Sequence, residues 1–148
     1  MISVIQRVSG ASVEVDGRIA GQIGAGLLVL LGIENGDGET DADHLVRKIT
    51  GLRIFPDAQG KMNLSVLQTG GAVLVISQFT LCGDCNKGMR PGFDAAARPE
   101  AAKLLYEYFV TKAKNTGITI ETGVFGSSMR VMLINDGPVT LICRSKKL

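Results

Sequence analysis

The chain has 148 residues, 45% of them hydrophobic and 20% charged, with a formal net charge of +2. That length suits one domain with a single sizeable core, and that balance excludes a disordered polymer as well as a chain whose overall field alone would capture nucleic acid. No apolar run approaches the ~18 residues of a membrane span, and the sequence opens on a strand-like pattern without a secretory leader, so a cytoplasmic location without a membrane partner is expected.

Ile2 to Val8 alternates, with Ser3, Gln6 and Arg7 breaking an otherwise apolar run, and Ser12 to Asp16 alternates again. Asp16-Gly17 is a strong two-residue hairpin signal leading into Arg18 to Ile23. Gly21 to Gly26 is glycine-rich, but its order is not that of a dinucleotide loop and a strand follows where a helix is required, so it reads as a turn. The apolar run Gly26 to Ile33 has the length of a strand buried on both faces. After the loop Glu34 to Gly38, Thr40 with Asp43 approximates a capping box for a helix reaching about Thr50. Leu45, Val46 and Ile49 form its buried stripe, with Arg47 and Lys48 nearer water. His44, the only histidine, lies in this helix and is assigned a structural or merely exposed place.

Leu52 to Phe55 reads as a short strand, Ser65 to Leu67 as another extended piece, and Ala72 to Leu81 as a long central strand. The Gly- and Pro-containing segment Cys82 to Arg98 is too long for a simple connection, and loops of that kind tend to carry function. Pro99 opens a helix running to about Lys114, with Leu104, Leu105, Tyr108 and Phe109 on its core side. Strands over Ile118 to Val124, Ser128 to Ile134 and Val139 to Arg144 close the chain. The expected fold is a single α/β domain over residues 1–148, with about seven or eight strands in a two-layered or barrel-like sheet and two main helices.

Three features bear on chemistry. Cys82-Gly83-Asp84-Cys85 has C-x-x-C spacing, but a second ligand pair is missing, and the motif follows a strand and leads into a loop where a redox motif would open a helix. Lys87 with Arg90, and Arg144 with Lys146 and Lys147, are local cation clusters able to hold a phosphate backbone or to form solvated faces. Between two apolar runs, Asn135-Asp136-Gly137-Pro138 looks like the corner of a β-hairpin, either an ordinary turn or a device that aims successive carbonyl oxygens the same way with no side chain in front of them.

Ser77-Gln78-Phe79-Thr80-Leu81, then Lys87-Gly88-Met89-Arg90-Pro91-Gly92-Phe93, Phe125-Gly126 and Asn135-Asp136-Gly137-Pro138-Val139-Thr140 together resemble the D-aminoacyl-tRNA deacylases. The likeness runs the whole length, from Ile5-Gln6-Arg7-Val8 through Val13 to Gly17, Leu52 to Phe55 and Glu121-Thr122-Gly123. It implies that fold, a homodimer, and hydrolysis of the ester of D-aminoacyl-tRNA and of glycyl-tRNA mischarged on tRNA-Ala. Binding would be at the acceptor end, without DNA, metal or cofactor, as a step of translation quality control. By the same resemblance Ser77, Gln78, Phe79 and Thr80 form the catalytic stretch. A cis Gly137-Pro138 from one subunit enters the other's active site and grips the substrate amino group with its carbonyls, excluding L side chains. Arg7 supports its orientation, Phe125 lies near the pocket, and Asn135 is grouped with them. Ser127, where alanine is usual, and Cys82 with Cys85 depart from the family's pattern.

The residues themselves leave two mechanisms open. A side-chain nucleophile, Ser77 or Thr80, lacks an evident base, since the lone histidine is remote in sequence from both motifs. Alternatively the ester's own vicinal ribose hydroxyl assists water while backbone N–H groups, Phe79's foremost, stabilise the oxyanion. A non-catalytic module binding the tRNA acceptor end is the competing function, and a deacylation assay separates the two.

Overall fold

Strand β1, Ile2–Val15, organises the molecule, because one of its edges is shared by two strands in succession. In the computed structural model, which describes residues 1–146, β3 (Gly26–Gly32) pairs antiparallel with Ile2 to Val8. Farther along, β2 (Arg18–Ile23) pairs antiparallel with Ala11 to Val15. Asp16 and Gly17 join β1 to β2 with φ of 50° and 76°, the left-handed pair that a tight hairpin needs. The glycine-rich stretch after it is mostly strand, and the turn narrows to Gly24 and Ala25.

From β3 the sheet continues in parallel to β6 (Ala72–Ser77) and then β7 (Thr119–Thr122). β7 comes back against β2, where Gly21 lies so close to the Thr122 carbonyl that an added Cβ would stand 2.6 Å from its oxygen. The sheet is therefore nearly closed, a barrel-like mixed sheet rather than an open one. β4 (Phe55–Pro56) and β5 (Met62–Leu64) form a separate two-stranded ribbon, giving eight strands among the described residues.

Two helices pack outside the sheet, joined by one short helical turn. α1 (Glu39–Gly51) buries Ala42, Leu45, Val46 and Ile49, as its apolar spacing predicts. Its cap lies two residues earlier than Thr40: Gly38 is the N-cap, and its N–H donates to the Asp41 carboxylate at 3.0 Å. α2 (Val66–Thr69) replaces the expected extended piece, because Ser65 and Gln68 cap each other's backbone amides. α3 (Pro99–Lys114) starts at the predicted proline; of its expected core side, Phe109 is buried and Leu105 and Tyr108 pack partly buried against the core, whereas Leu104 is 70% exposed and Ala102, Tyr106 and Ala113 are buried as well.

Tyr106 is the one long polar side chain that α3 sends into the core. Its hydroxyl donates to the Val75 carbonyl at 2.8 Å, and burial pushes its pKa far above the ordinary phenol value, so it stays protonated. Tyr106→Phe is expected to lower stability by about 1 kcal/mol, read as a fall in the urea midpoint with unchanged slope. A neutral result would mean that the Gly123 amide, which also reaches this carbonyl at 3.4 Å, satisfies it alone.

The last strand is the largest departure from the sequence-based expectation. Residues Arg130–Arg144 form one continuous strand, β8, not a hairpin. It runs antiparallel along the free edge of β1, pairing Glu14 with Arg130 up to Val8 with Asn135, then Gln6 with Thr140 down to Ile2 with Arg144. Between those ladders, Asp136 to Val139 stand opposite the single residue Arg7. The Asn-Asp-Gly-Pro sequence is thus a wide bulge within a strand.

Candidate active site

β6 ends at Ser77, earlier than predicted, because the chain there turns into a 3-10 turn over Phe79–Cys82. The Gln78 amide still donates to the Leu31 carbonyl at 2.8 Å, continuing the β3 ladder by one step. Beyond it, the Phe79 and Thr80 amides take no backbone acceptor among the described residues, as the first N–H groups of a helical turn must. The Gln78 side chain donates to the Thr80 hydroxyl at 2.6 Å, holding the two together at the turn's start.

Of these, Gln78 and Phe79 lie on the floor of a cleft of about 610 Å³. Ser77, Gln78 and Phe79 lie on one side, Phe125, Gly126 and Ser127 on another, and Phe93 with Arg98 comes from the long loop before α3. Phe79 is 58% exposed and meets Phe93 edge-on, with ring centroids 5.2 Å apart. Phe125 is fixed from behind by Tyr106, at 5.7 Å. Thr80 is not part of the lining; it stands exposed beside the cleft and reaches it only through Gln78. Met129 and Val131 complete the apolar wall. Neither Arg98 nor Phe93 was assigned a site role from sequence; the position of Arg98 next to the helix-opening Pro99 was the available signal.

Among the described residues, Arg98 is the only ionisable side chain lining the cleft. His44 sits elsewhere, lining a hollow with Arg47, Lys48 and Arg53. Cys82 is buried, its thiol directed at the Ile33 carbonyl and pushed up in pKa by burial, while Cys85 is exposed. Nothing in the lining is placed to deprotonate Ser77.

The remaining predicted residues gather at a second place, the bulge of β8. The Gly137-Pro138 peptide is cis, with Gly137 at φ 155°. Arg7 Nε donates to the Asp136 carbonyl at 2.9 Å, and its Nη1 donates to the Ile54 carbonyl at 2.6 Å, so one guanidinium ties the bulge to the segment before β4. Asn135 closes the base: its carbonyl oxygen accepts from the Val139 amide and its amide donates to Thr140, both at 3.0 Å. Val139 is buried, while Asp136, Gly137 and Pro138 are exposed. None of the bulge residues lines the cleft of their own chain.

The cation clusters separate in the same way. Lys87 and Arg90 stay exposed on the long loop. Lys146 pairs with Asp37 at 3.0 Å and Asp41 at 3.6 Å, and Arg144 lies 3.8 Å from Glu34, so that group is engaged with carboxylates of its own chain. Lys147 lies outside the described residues.

A nearly closed mixed sheet with two packed helices and a cleft at the end of a central strand is an architecture shared with solved structures. A solved structure titled c-Myc DNA Unwinding Element Binding Protein superposes with a TM-score of 0.94 at 40% identity, covering 99% of this chain and all of that one. One titled as a probable eukaryotic D-amino acid tRNA deacylase shares the fold at a TM-score of 0.81 and 15% identity, covering 96% of this chain and 97% of that one. The family model described as D-Tyr-tRNA(Tyr) deacylase matches residues 4–144. Relatives named D-aminoacyl-tRNA deacylase include one from Koribacter versatilis (strain Ellin345), 61% identical over 147 residues and 99% of both chains. Another, from Thermosipho melanesiensis (strain DSM 12029 / CIP 104789 / BI429), is 56% identical over 149 residues, 100% of this chain and 99% of that one. The chain belongs to the D-aminoacyl-tRNA deacylase family, a family of hydrolases.

Proposed function

We propose that the cleft hydrolyses the ester of D-aminoacyl-tRNA and of glycyl-tRNA mischarged on tRNA-Ala, that it spares L-aminoacyl esters, and that the substrate supplies part of the chemistry. The observation that carries this reading is the turn at the cleft: the backbone amide of Phe79, which lines it, and that of Thr80 just beside it, both without acceptors among the described residues, and Arg98 as the sole ionisable lining residue among them. Donors of that kind suit a developing oxyanion, and loss of one such donor typically costs on the order of 10²–10³ in rate. With no base among the lining side chains, proton transfer falls to the vicinal ribose hydroxyl and water.

Selectivity comes from the bulge of a second copy. Gly137 and Pro138 stand exposed at a point pinned by Arg7 and Asn135, outside their own cleft. Flanking them on β8, Met132, Ile134 and Ile142 are 49%, 67% and 67% exposed, an apolar stripe on a strand that among the described residues pairs on one edge only. A homodimer that covers this stripe brings each bulge to the partner's cleft, where its carbonyls hold the substrate amino group and leave no room for an L side chain. Glycine has no side chain to reject. A protein acting so on charged tRNA works where translation takes place, in the cytoplasm.

The test is hydrolysis of D-Tyr-tRNA, L-Tyr-tRNA and Gly-tRNA in parallel, with and without chelator. Loss of the D and glycyl esters with the L ester spared, unaffected by chelator, is the expected result; survival of all three would leave a binding module. Ser77→Ala and Thr80→Ala are expected to keep D-ester kcat within about tenfold, because neither hydroxyl has a base to activate it. A loss approaching 10⁴-fold in a folded variant would establish a side-chain nucleophile instead.

A further inference from the structure

The C-terminal turn of α1 and the segment after it carry a feature that the cleft and the bulge do not use. His44, Arg47, Lys48 and Arg53 line a hollow of about 350 Å³ whose wall contains no carboxylate. Elsewhere, Arg7, Lys103, Lys112, Arg130, Arg144 and Lys146 each have a carboxylate within ion-pair distance, whereas Arg18, Lys61, Lys87, Arg90, Arg98 and Lys114 have none among the described residues and are not gathered in this hollow. Arg47, Lys48 and Arg53 have none among the described residues. Arg53 is held by Asn63, donating to its backbone carbonyl at 2.9 Å and to its side-chain oxygen, which fixes the guanidinium without cancelling its charge.

The hollow's position gives it a partner. Arg53 is followed by Ile54, whose carbonyl accepts from Arg7, and Arg7 in turn holds the Asp136 carbonyl at the base of the bulge. Arg53 is thus connected to the base of the bulge through Ile54 and Arg7. If the bulge serves a second copy's cleft, as in the function proposed above on which this inference rests, the hollow comes to the rim of that cleft. An ester entering the cleft is attached to the 3′ end of an RNA, whose phosphodiesters must leave past that rim.

We infer that the hollow formed by His44, Arg47, Lys48 and Arg53 is a phosphodiester-binding site that receives the RNA backbone next to the aminoacylated 3′ end, acting on the cleft of the partner subunit. The chemistry is that of unpaired cations on a rigid helix end, which position a nucleic-acid backbone without reading its bases. The modest net charge fits this placement, since binding then depends on a local site rather than on the whole surface.

The experiment compares the wild type with Arg47→Ala/Lys48→Ala and with a control, Lys114→Ala, on two substrates: D-Tyr-tRNA, and D-tyrosyl-adenosine, which carries the ester without the phosphate chain. Arg47, Lys48 and Lys114 are exposed on helices, so folding is expected to survive in both variants. For the double variant, KM for D-Tyr-tRNA should rise about tenfold with kcat retained, and the slope of log KM against log salt should flatten by about two, one unit per lost phosphate contact. Turnover of D-tyrosyl-adenosine should stay within about twofold. The control should change neither. An unchanged tRNA KM in the double variant, with wild-type turnover of both substrates, would overturn the phosphate site and leave the deacylase reading standing. If wild type cleaves neither substrate, the deacylase reading fails and this inference with it. An equal KM rise on both substrates would assign the two cations to the cleft's structure and not to RNA.

Discussion

Gly137→Ala is expected to leave a folded protein that has lost about 10²-fold in kcat/KM on D-aminoacyl-tRNA, a deficit of about 2.7 kcal/mol in transition-state binding. A Cβ built on Gly137 would collide with the Val139 amide nitrogen and lie 2.7 Å from Val139 Cγ2, and its φ of 155° disfavours an L side chain. Val139 is buried and its amide is held by Asn135, so the strain is relieved outward, by moving the exposed carbonyls of the bulge. The ladders on either side, Val8 with Asn135 and Gln6 with Thr140, hold the rest of β8 in place. Strain of this sort costs on the order of 1–3 kcal/mol, which the domain can absorb. Displaced carbonyls would also fail to reject L esters, so the D/L ratio should fall along with the D rate. Full D-ester activity with an unchanged D/L ratio would show that the bulge takes no part in the reaction.

Gly26→Ala should have the larger effect on the fold. Gly26 faces Val8 across an antiparallel ladder and Ala72 across a parallel one, at the start of the strand that joins the two halves of the sheet. An added Cβ would overlap the Ala72 carbonyl oxygen outright and stand 2.8 Å from that residue's backbone carbon and nitrogen. Backbone on both sides of a buried position cannot swing away as a side chain can. We expect a loss of about 3 kcal/mol, visible as a Tm lower by roughly 10 °C. The same β3–β6 ladder ends with Leu31 opposite Ser77, so the change should also lower deacylase activity at temperatures where the protein stays folded. A Tm within a degree or two of wild type would mean that the β3–β6 ladder can open at this end without loss.

How far the sequence alone was legible differs between elements. β3 was readable as a doubly buried strand because its apolar run is unbroken, and the first hairpin because Asp16-Gly17 admits few other conformations. The inward face of α3 was legible in part: Phe109, Leu105 and Tyr108 reach the core as expected, but apolar side chains lie on several sides of the helix, and only packing against β7 and α1 selects Tyr106 over Leu104. The bulge was misread for a similar reason. Two apolar runs around a turn-forming tetrapeptide look the same whether the chain doubles back or bows out, and the difference lies in pairing with β1, more than a hundred residues earlier. The stretch Ser77 to Thr80 reads as the end of a long strand, whereas the strand stops at Ser77 and a 3-10 turn begins at Phe79, because the two conformations are not separated by so short a sequence pattern. The cleft's polarity was legible in one respect, the scarcity of candidate bases, since a single histidine in the whole chain leaves little else to place there.

That the bulge interrupts a strand instead of ending a hairpin has a consequence for how such a protein can change over generations. Both flanks of Asp136 to Val139 are anchored independently to β1, so a residue gained, lost or exchanged among the exposed positions shifts neither ladder. The floor of the cleft, by contrast, is continuous with the buried β3–β6 ladder and tolerates little. On the proposed reading, the part that discriminates between substrates can drift while the part that supports hydrolysis stays fixed. New preferences among aminoacyl esters are therefore reachable by small steps, without passing through an unfolded ancestor.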